Sequence, residues 1–355
     1  MHKYLYCNHP NYDSSLDWSI SLPRHQIKTI LVPGSSAPAG INTIKSLRMG
    51  GYKGKILATD SSSLSAGFFM SDINEVIPEA DNASFLDRLF EIVMANDVEI
   101  LMPSSGFDIY PYSENVAALA NLGATAIVSD REALEICRDK IQTFQKLSSK
   151  YDLPFTTSKP NKVKQFPVIA KPRFGKGSRD IIRIDDESDL RYANSKFEDM
   201  IYQEFLPGRE YTIDVLSDLE KKPLIAVPRI RIQTKGGIST KGRIILNPEL
   251  ELTCRQIAEC VGIRGPCCIQ MKESTDGILK LVEINPRMGG GTIFSTLAGA
   301  NFPKMLVDMV EGNEISIPKI SSVTIVRYYE EIVIRDEEPK IPVGEDLLPR
   351  TNIPR

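Results

Sequence analysis

The feature that most constrains this chain is a change of pattern part-way along it. Between Lys28 and Val128 short apolar runs alternate with helical ones: KTILVPG, then INTIKSLRMGG closed by Gly50 and Gly51, KILATD, EVIP, a helix over residues 84 to 95, VEILMP, a helix over about 111 to 122, and ATAIV. Strands separated by helices and joined by short connections pair in parallel, with helices on the sheet faces. A linking helix is expected from roughly Asp130 to Tyr151, and beyond Pro154 the pattern becomes antiparallel. FPVIAKP and DIIRI flank the turn RFGKGSR, DMIYQEFL leads into EYTIDVLS and KPLIAVPRIRIQT, and GPCCIQMKE pairs with GILKLVEI as a hairpin. Further helices are expected to open near Asp186, over about 248 to 261 and after the glycines at 289 to 291, with VTIVRYYEEIVI as the last strand. The chain thus reads as an α/β domain with a mainly parallel sheet followed by an α+β part, the boundary lying near residues 125 to 155.

With 355 residues there is room for two or three packed domains. A net charge of -3, with 42% hydrophobic and 25% charged residues, is that of an ordinary globular protein and argues against a dedicated nucleic-acid binder. The first 20 residues place Asn, Asp, Ser and His where a signal peptide needs apolar ones, and no apolar run is long enough to span a bilayer. The six cysteines form no CxxC pair and read as core residues of a protein in the reducing cytoplasm. All three histidines, His2, His9 and His25, fall in a leader of residues 1 to 26 that shows no sustained period. A Ser-His-Asp hydrolase or a His-rich zinc enzyme would have to draw its histidine from there.

The stretch richest in chemistry is ILKLVEINPRMGGGT, Ile278 to Thr292. On a strand Glu283 and Asn285 project to one face while Val282 and Ile284 take the other. A carboxylate and a carboxamide two apart suit a hard cation such as Mg2+, and Arg287 just beyond offers a planar fork for an oxyanion. A strand ending in a polar turn explains any one of these residues; it explains the set less well. Gln270, on the preceding strand, faces the same cavity if the two strands pair.

Other segments are weaker alone. Lys171 ends a buried strand and leads into Gly175, Lys176, Gly177 and Ser178, a cationic glycine turn able to fold over phosphates but lacking the Walker A pattern. Gln203, Glu204, Phe205 and Leu206 precede PGRE, where backbone amides can meet a purine edge, Phe and Leu its faces, and Glu210 the ribose hydroxyls; a polar hairpin reads equally well. PRIRIQTKGGISTKGR carries Arg229, Arg231, Lys235, Lys241 and Arg243 around Gly236 and Gly237, which suits an anion-facing flap; a solvated basic loop is the alternative, and an RNA patch ranks below both. PGSSAPAG, with Asp60 about twenty residues on, invites a dinucleotide reading but lacks GxGxxG, so a tight strand-to-helix turn is preferred. PSSGFD, residues 103 to 108, ends a parallel strand, where ligands often sit.

In order and spacing, Lys140, KPRFGKGSR, QEFLPGRE, PRIRIQTKGG, CIQMKE and LVEINPRMGGG together resemble the ATP-grasp superfamily, in its carbamoyl-phosphate-synthase large-subunit-like branch, over about residues 28 to 335. The resemblance implies an N-terminal extension (1-26), a pre-ATP-grasp α/β domain (27-128), an ATP-grasp domain of two α+β lobes (129-335, the lid lobe about 155-206 and the large lobe about 207-335) and a tail (336-355). It assigns Lys140 and Lys171 to ATP phosphates, Gly175 to Ser178 to the lid, Glu204, Phe205 and Leu206 to the adenine hinge, and Glu210 to the ribose. Gln270, Glu283 and Asn285 would hold Mg2+ or Mn2+, with Arg287, Lys171, Lys241 and Arg243 as the catalytic cations. The implied reaction is phosphorylation of a carboxylate to an acyl phosphate and its capture by an amine. The partners implied are these small molecules, with no nucleic acid, no membrane, and a homodimer left open. One module without internal duplication departs from a full carbamoyl-phosphate synthase, so bicarbonate or carbamate phosphorylation ranks second and a non-catalytic ATP-binding module third.

Overall fold

In the computed structural model the described residues are 26–104, 109–175 and 180–334. The leader up to residue 25, the residues Lys176, Gly177 and Ser178 of the expected lid, most of PSSGFD and the tail from residue 335 lie outside them.

The first sheet is built from β1 (Thr29–Pro33), β2 (Lys55–Asp60), β3 (Ile73–Val76), β4 (Ile100–Leu101) and β5 (Thr125–Ala126). Its order is β3-β2-β1-β4-β5, every pairing parallel. All five residues of β1 are buried because both faces are covered. Ile30 and Val32 meet α1 (Pro38–Met49). Leu31 faces α2 (Phe85–Ala95), α3 (Ile109–Glu114) and α4 (Val116–Asn121). The single helix expected over 111 to 122 is therefore two, and β4 and β5 are shorter than VEILMP and ATAIV suggested. Asp60 turns back on the β1–α1 connection, its Oδ2 accepting from Ser36 N at 2.7 Å, so it holds the turn.

The expected linking helix is also broken, into α5 (Arg131–Arg138) and α6 (Lys140–Leu147). Asp139 between them has φ -93 and ψ 104, and its carboxylate caps α6 by accepting from Ile141 N and Gln142 N. An aspartate gains more by capping than it would inside a continuous helix.

Two antiparallel sheets follow. The smaller holds β6 (Thr156–Thr157), β7 (Val168–Pro172), β8 (Ile182–Ile184) and β9 (Met200–Glu204) in the order β6-β9-β7-β8. It packs Val168, Ala170, Ile184 and Tyr202 with Ala193 of α7 (Glu187–Lys196), whose N-cap is Asp186. The larger holds β10 (Glu210–Ser217), β11 (Pro223–Lys235), β12 (Ile238–Ile244), β13 (Pro266–Glu273), β14 (Leu279–Asn285) and β15 (Thr324–Val326), in the order β14-β13-β10-β11-β12-β15. Gly236 and Gly237, both with positive φ (56 and 75), form the two-residue turn of the β11–β12 hairpin. The expected last strand is cut to three residues.

Alternation sorts the large sheet into two faces. Tyr211, Ile213, Val215, Ile269 and Met271 pack under α8 (Pro248–Val261). On the other side Leu216, Val227 and Ile244 join α1, the first sheet, α9 (Ile293–Leu297) and α10 (Phe302–Val310) in one apolar cluster. Among the described residues no helix is long and apolar enough to cross a membrane.

Candidate active site

A cavity of about 230 Å3 lies between the small and large sheets. On β7, Val168 and Ala170 belong to the small lobe's core, which turns Ile169 and Lys171 into the cavity. From the opposite side β10 contributes Glu210, β13 Gln270 and β14 Glu283. Lys140, Gly175, Glu204, Phe205 and Leu206 complete the set of expected residues that line it.

Lys171 is buried and donates to Gln203 Oε1 at 2.8 Å, while Gln203 Nε2 donates to Thr156 Oγ1 at 3.0 Å. Burial is the largest influence on this amine and pulls its pKa down to about 8, against the opposing pull of Glu283 and Glu210. Lys140, the first residue of α6, donates to the carbonyls of Pro172, Arg173 and Gly175 at 3.1, 3.2 and 3.1 Å. Burial lowers its pKa too, with Glu283 opposing. It thus braces the start of the glycine turn as well as lining the cavity. Arg173 strengthens that brace through Asp139, Nε to Oδ1 at 2.8 Å.

At the segment expected to form the hinge, Glu204 is held by Lys280 at 2.8 and 2.9 Å, and its backbone N donates to Phe155 O at 2.8 Å. The ring of Phe205 carries Arg183 at 4.6 Å and Lys272 at 5.8 Å. Glu210 accepts from Arg231, whose Nη1 also donates to Gln270 Oε1 at 3.0 Å.

The floor is a chain of polar contacts. Gln270 Nε2 and Asn285 Nδ2 both donate to Glu283 Oε1, at 2.6 and 2.9 Å, and Arg287 reaches Asn285 Oδ1 at 3.4 Å. The expected alternation on β14 is interrupted: its register against β13 shifts between Gln270 and Met271. Leu281 and Ile284, three apart, both enter the core under α8, and Val282 lines the cavity beside Glu283. A β-bulge of this kind re-aims side chains next to a site. The sequence expectation for Val282 is corrected accordingly.

Below the glycines sits a network that the sequence reading passed over. Asp214, fully buried, accepts from Arg229 Nη1 at 2.8 Å, Ser295 Oγ at 2.7 Å and Cys268 Sγ at 3.1 Å. Arg229 also donates to Gly291 O at 3.1 Å, while Asn42 and Arg327 hold Gly290 O at 2.8 and 2.6 Å. A Cβ on Gly289 would lie 2.3 Å from Cys268 Sγ and one on Gly291 2.5 Å from Arg229 Nη2, so both positions need glycine. The signal was present in EYTIDVLS, where Glu210, Thr212 and Asp214 alternate with Tyr211, Ile213 and Val215.

Lys241 and Arg243 do not join the site. Both are exposed on β12, and Arg243 pairs across from Ile230, which packs toward the α8 core. Gly242 between them is the position that faces Arg229 and Phe294. Strand alternation thus turns the two expected catalytic cations away from Glu283.

Gln270, Glu283 and Asn285 present three oxygen-bearing side chains to one point, and a half-turn of either carboxamide exchanges its nitrogen for its oxygen. Among the described residues no group of three or more His, Cys, Asp or Glu is gathered to hold a metal alone. One carboxylate with two amides fits a hard divalent cation that takes its remaining ligands from phosphate and water.

Residues 196–332 match the family model described as "ATP-grasp in the biosynthetic pathway with Ter operon". A carbamoyl phosphate synthase large chain of Clostridium botulinum is 28% identical over 140 residues, 34% of this chain and 13% of that protein, so the chain matches only a small part of it. A carbamoyl-phosphate synthase of Methanobrevibacter smithii is 25% identical over 298 residues, 74% of this chain and 80% of that one. Among solved structures, a biotin carboxylase–β,γ-ATP complex from Campylobacter jejuni superposes with a TM-score of 0.66 at 16% identity, covering 83% of this chain and 74% of that one. An L-amino acid ligase from Bacillus licheniformis does so at 0.59 and 16%, covering 84% and 76%. Fold and sequence similarity converge: residues 196–332 match an ATP-grasp family model, and the chain is similar in sequence to carbamoyl-phosphate synthases and in fold to the biotin carboxylase and the L-amino acid ligase.

Proposed function

We propose that this chain is an ATP-dependent carbon–nitrogen ligase that phosphorylates a carboxylate to an acyl phosphate and couples it to an amine, releasing ADP and phosphate. The observation that carries the reading is the convergence of Lys171, Lys140, Gln270 and Glu283 on one cavity between two sheets, with Asn285 and Arg287 continuing the same polar chain into the adjoining cavity. In this reading residues 27 to 128 are the pre-ATP-grasp domain, the small sheet is the lid lobe and the large sheet the other lobe.

Lys171 and Lys140 place positive charge against the phosphates, Glu204 and Leu206 present the hinge to adenine, and Glu210 meets the ribose. Gln270, Glu283 and Asn285 hold Mg2+ or Mn2+, which when bound neutralises charge on the β- and γ-phosphates. Arg287 lies where an acceptor carboxylate and the transferred phosphoryl group meet, and stabilises the charge that develops there. The carboxylate oxygen attacks γ-phosphorus in line, the bond to the β-phosphate oxygen breaks, and the amine then displaces phosphate from the acyl phosphate. Each step relies on positioning and charge, and none calls for a histidine base.

A second reading, phosphorylation of bicarbonate or carbamate, is favoured by the names of the curated relatives and of the biotin carboxylase structure. Its discriminator is ADP release. A screen of carboxylates paired with amines should find a pair that drives it; stimulation by bicarbonate with ammonia and by no carboxylate pair selects the second reading. Unchanged melting in Mg-ATP counts against both.

A further inference from the structure

Beside the nucleotide cavity, and sharing Lys140, Gly175 and Glu283 with it, lies a second cavity of about 340 Å3. That is the small end of ligand-site volumes. Arg287 and Asn285 form one wall, and another carries Arg138, from the last turn of α5, with Tyr110 and Phe174. The Cζ of Arg138 stands 5.4 Å from the Tyr110 ring centroid and 5.3 Å from that of Phe174, so the two rings fix the guanidinium plane. Its ion pair among the described residues is a long one, 3.9 Å to Glu135, with the two side chains 53% and 33% exposed. Such a pair neutralises little. Arg287 has no ion pair among the described residues and donates instead to Met288 O at 2.8 Å and to Asn285.

Among the described residues the acid lining this cavity is Glu283, which the ligase reading commits to the metal. What remains is two guanidinium groups with apolar wall from Ile109, Leu134 and Ile284. A monocarboxylate placed at Arg287 leaves Arg138 unanswered, whereas a short chain with an anion at each end answers both. We infer that this cavity is the acceptor subsite and that the acceptor is a short dianionic carboxylate, a dicarboxylic acid or an acidic amino acid. Its reactive carboxylate meets Arg287, and its second is clasped by Arg138 between Tyr110 and Phe174. The inference rests on the ligase reading. Lys140 adds positive charge to this cavity but offers the acceptor no free donor, because its three N–H groups go to the carbonyls of 172, 173 and 175. Cys137 also lines the cavity, but burial pushes its thiol well above the usual range, which leaves it a neutral wall.

Calorimetric titration of the whole chain, loaded with Mg2+ and a non-hydrolysable ATP analogue, against glutarate, L-glutamate and valerate tests this. At least one dianion should bind about tenfold or more tightly than valerate, the scale of one charge-assisted contact. Arg138→Gln should erase that margin without changing affinity for the ATP analogue, and Arg138→Lys should retain part of it. Equal binding of dianions and valerate, binding of none of the three acids, or a margin unchanged in Arg138→Gln overturns the inference. Parallel ADP-release assays with ammonia separate it from the function it rests on. Selective dianion binding without ADP release removes the ligase reading and leaves the subsite. ADP release driven equally by valerate and the dianions, with or without Arg138, keeps the ligase and removes the subsite.

Discussion

Lys171 is 6% exposed, and its ammonium donates to Gln203 Oε1 at 2.8 Å rather than to a carboxylate. Burial, the dominant influence, lowers its pKa from 10.5 to about 8. Between those two pH values the folded chain binds fewer protons than the unfolded one. The lysine therefore costs the fold about 3 kcal/mol below pH 8, and that cost is relieved as the pH rises toward 10.5. A triphosphate seated on the amine supplies the missing anion and returns the pKa to its ordinary range. Binding of Mg-ATP should then take up about 0.1 proton at pH 7, about 0.5 at pH 8 and about 0.9 at pH 9, and affinity should fall about tenfold from pH 7 to pH 9. Phosphate groups titrate near pH 6, outside this window. Calorimetry with a non-hydrolysable ATP analogue in two buffers of different ionisation enthalpy reads the proton count. Lys171→Met should remove most of the uptake, any remainder reporting Lys140, whose pKa burial also lowers. Proton uptake that is flat from pH 7 to 9, or identical in Lys171→Met, would refute the reasoning.

Three further outcomes are expected. Glu283→Gln keeps the shape of the floor but loses its charge, so turnover should fall about 10²–10³-fold while the melting temperature stays close to wild type; full activity would remove Glu283 from the reaction. Asp214→Ala leaves the Arg229 guanidinium buried without its partner and should lower stability by about 3–5 kcal/mol in urea titration, whereas a loss under 1 kcal/mol would show that the network can re-form around the gap. Lys241→Gln with Arg243→Gln should leave kcat/KM within about two-fold, as for surface changes away from a site; a loss of two orders of magnitude would restore those residues to the mechanism.

The parallel first sheet and the antiparallel pair that follow it were legible because the spacing of apolar residues reflects the faces each element must bury. Pairing of the Gln270 and Glu283 strands was legible too. Element lengths were less so. Asp139 breaks a continuous helical pattern because its side chain gains more as a cap, a local competition that periodicity does not register.

Facing and long-range partners were decided by the tertiary structure. The bulge on β14 turns Val282 toward the cavity, and one residue of strand parity takes Lys241 and Arg243 out of it. Asp214 finds Arg229 and Ser295 from other elements, while Arg138, Tyr110 and Phe174 meet from three segments that adjoin only after folding. Types of residue and their periods are written along the chain, so the sequence alone determined the kinds of sheet and which residue types are available to the candidate site. Which charged side chains share one desolvated space is set by packing between segments, and that the fold alone decided.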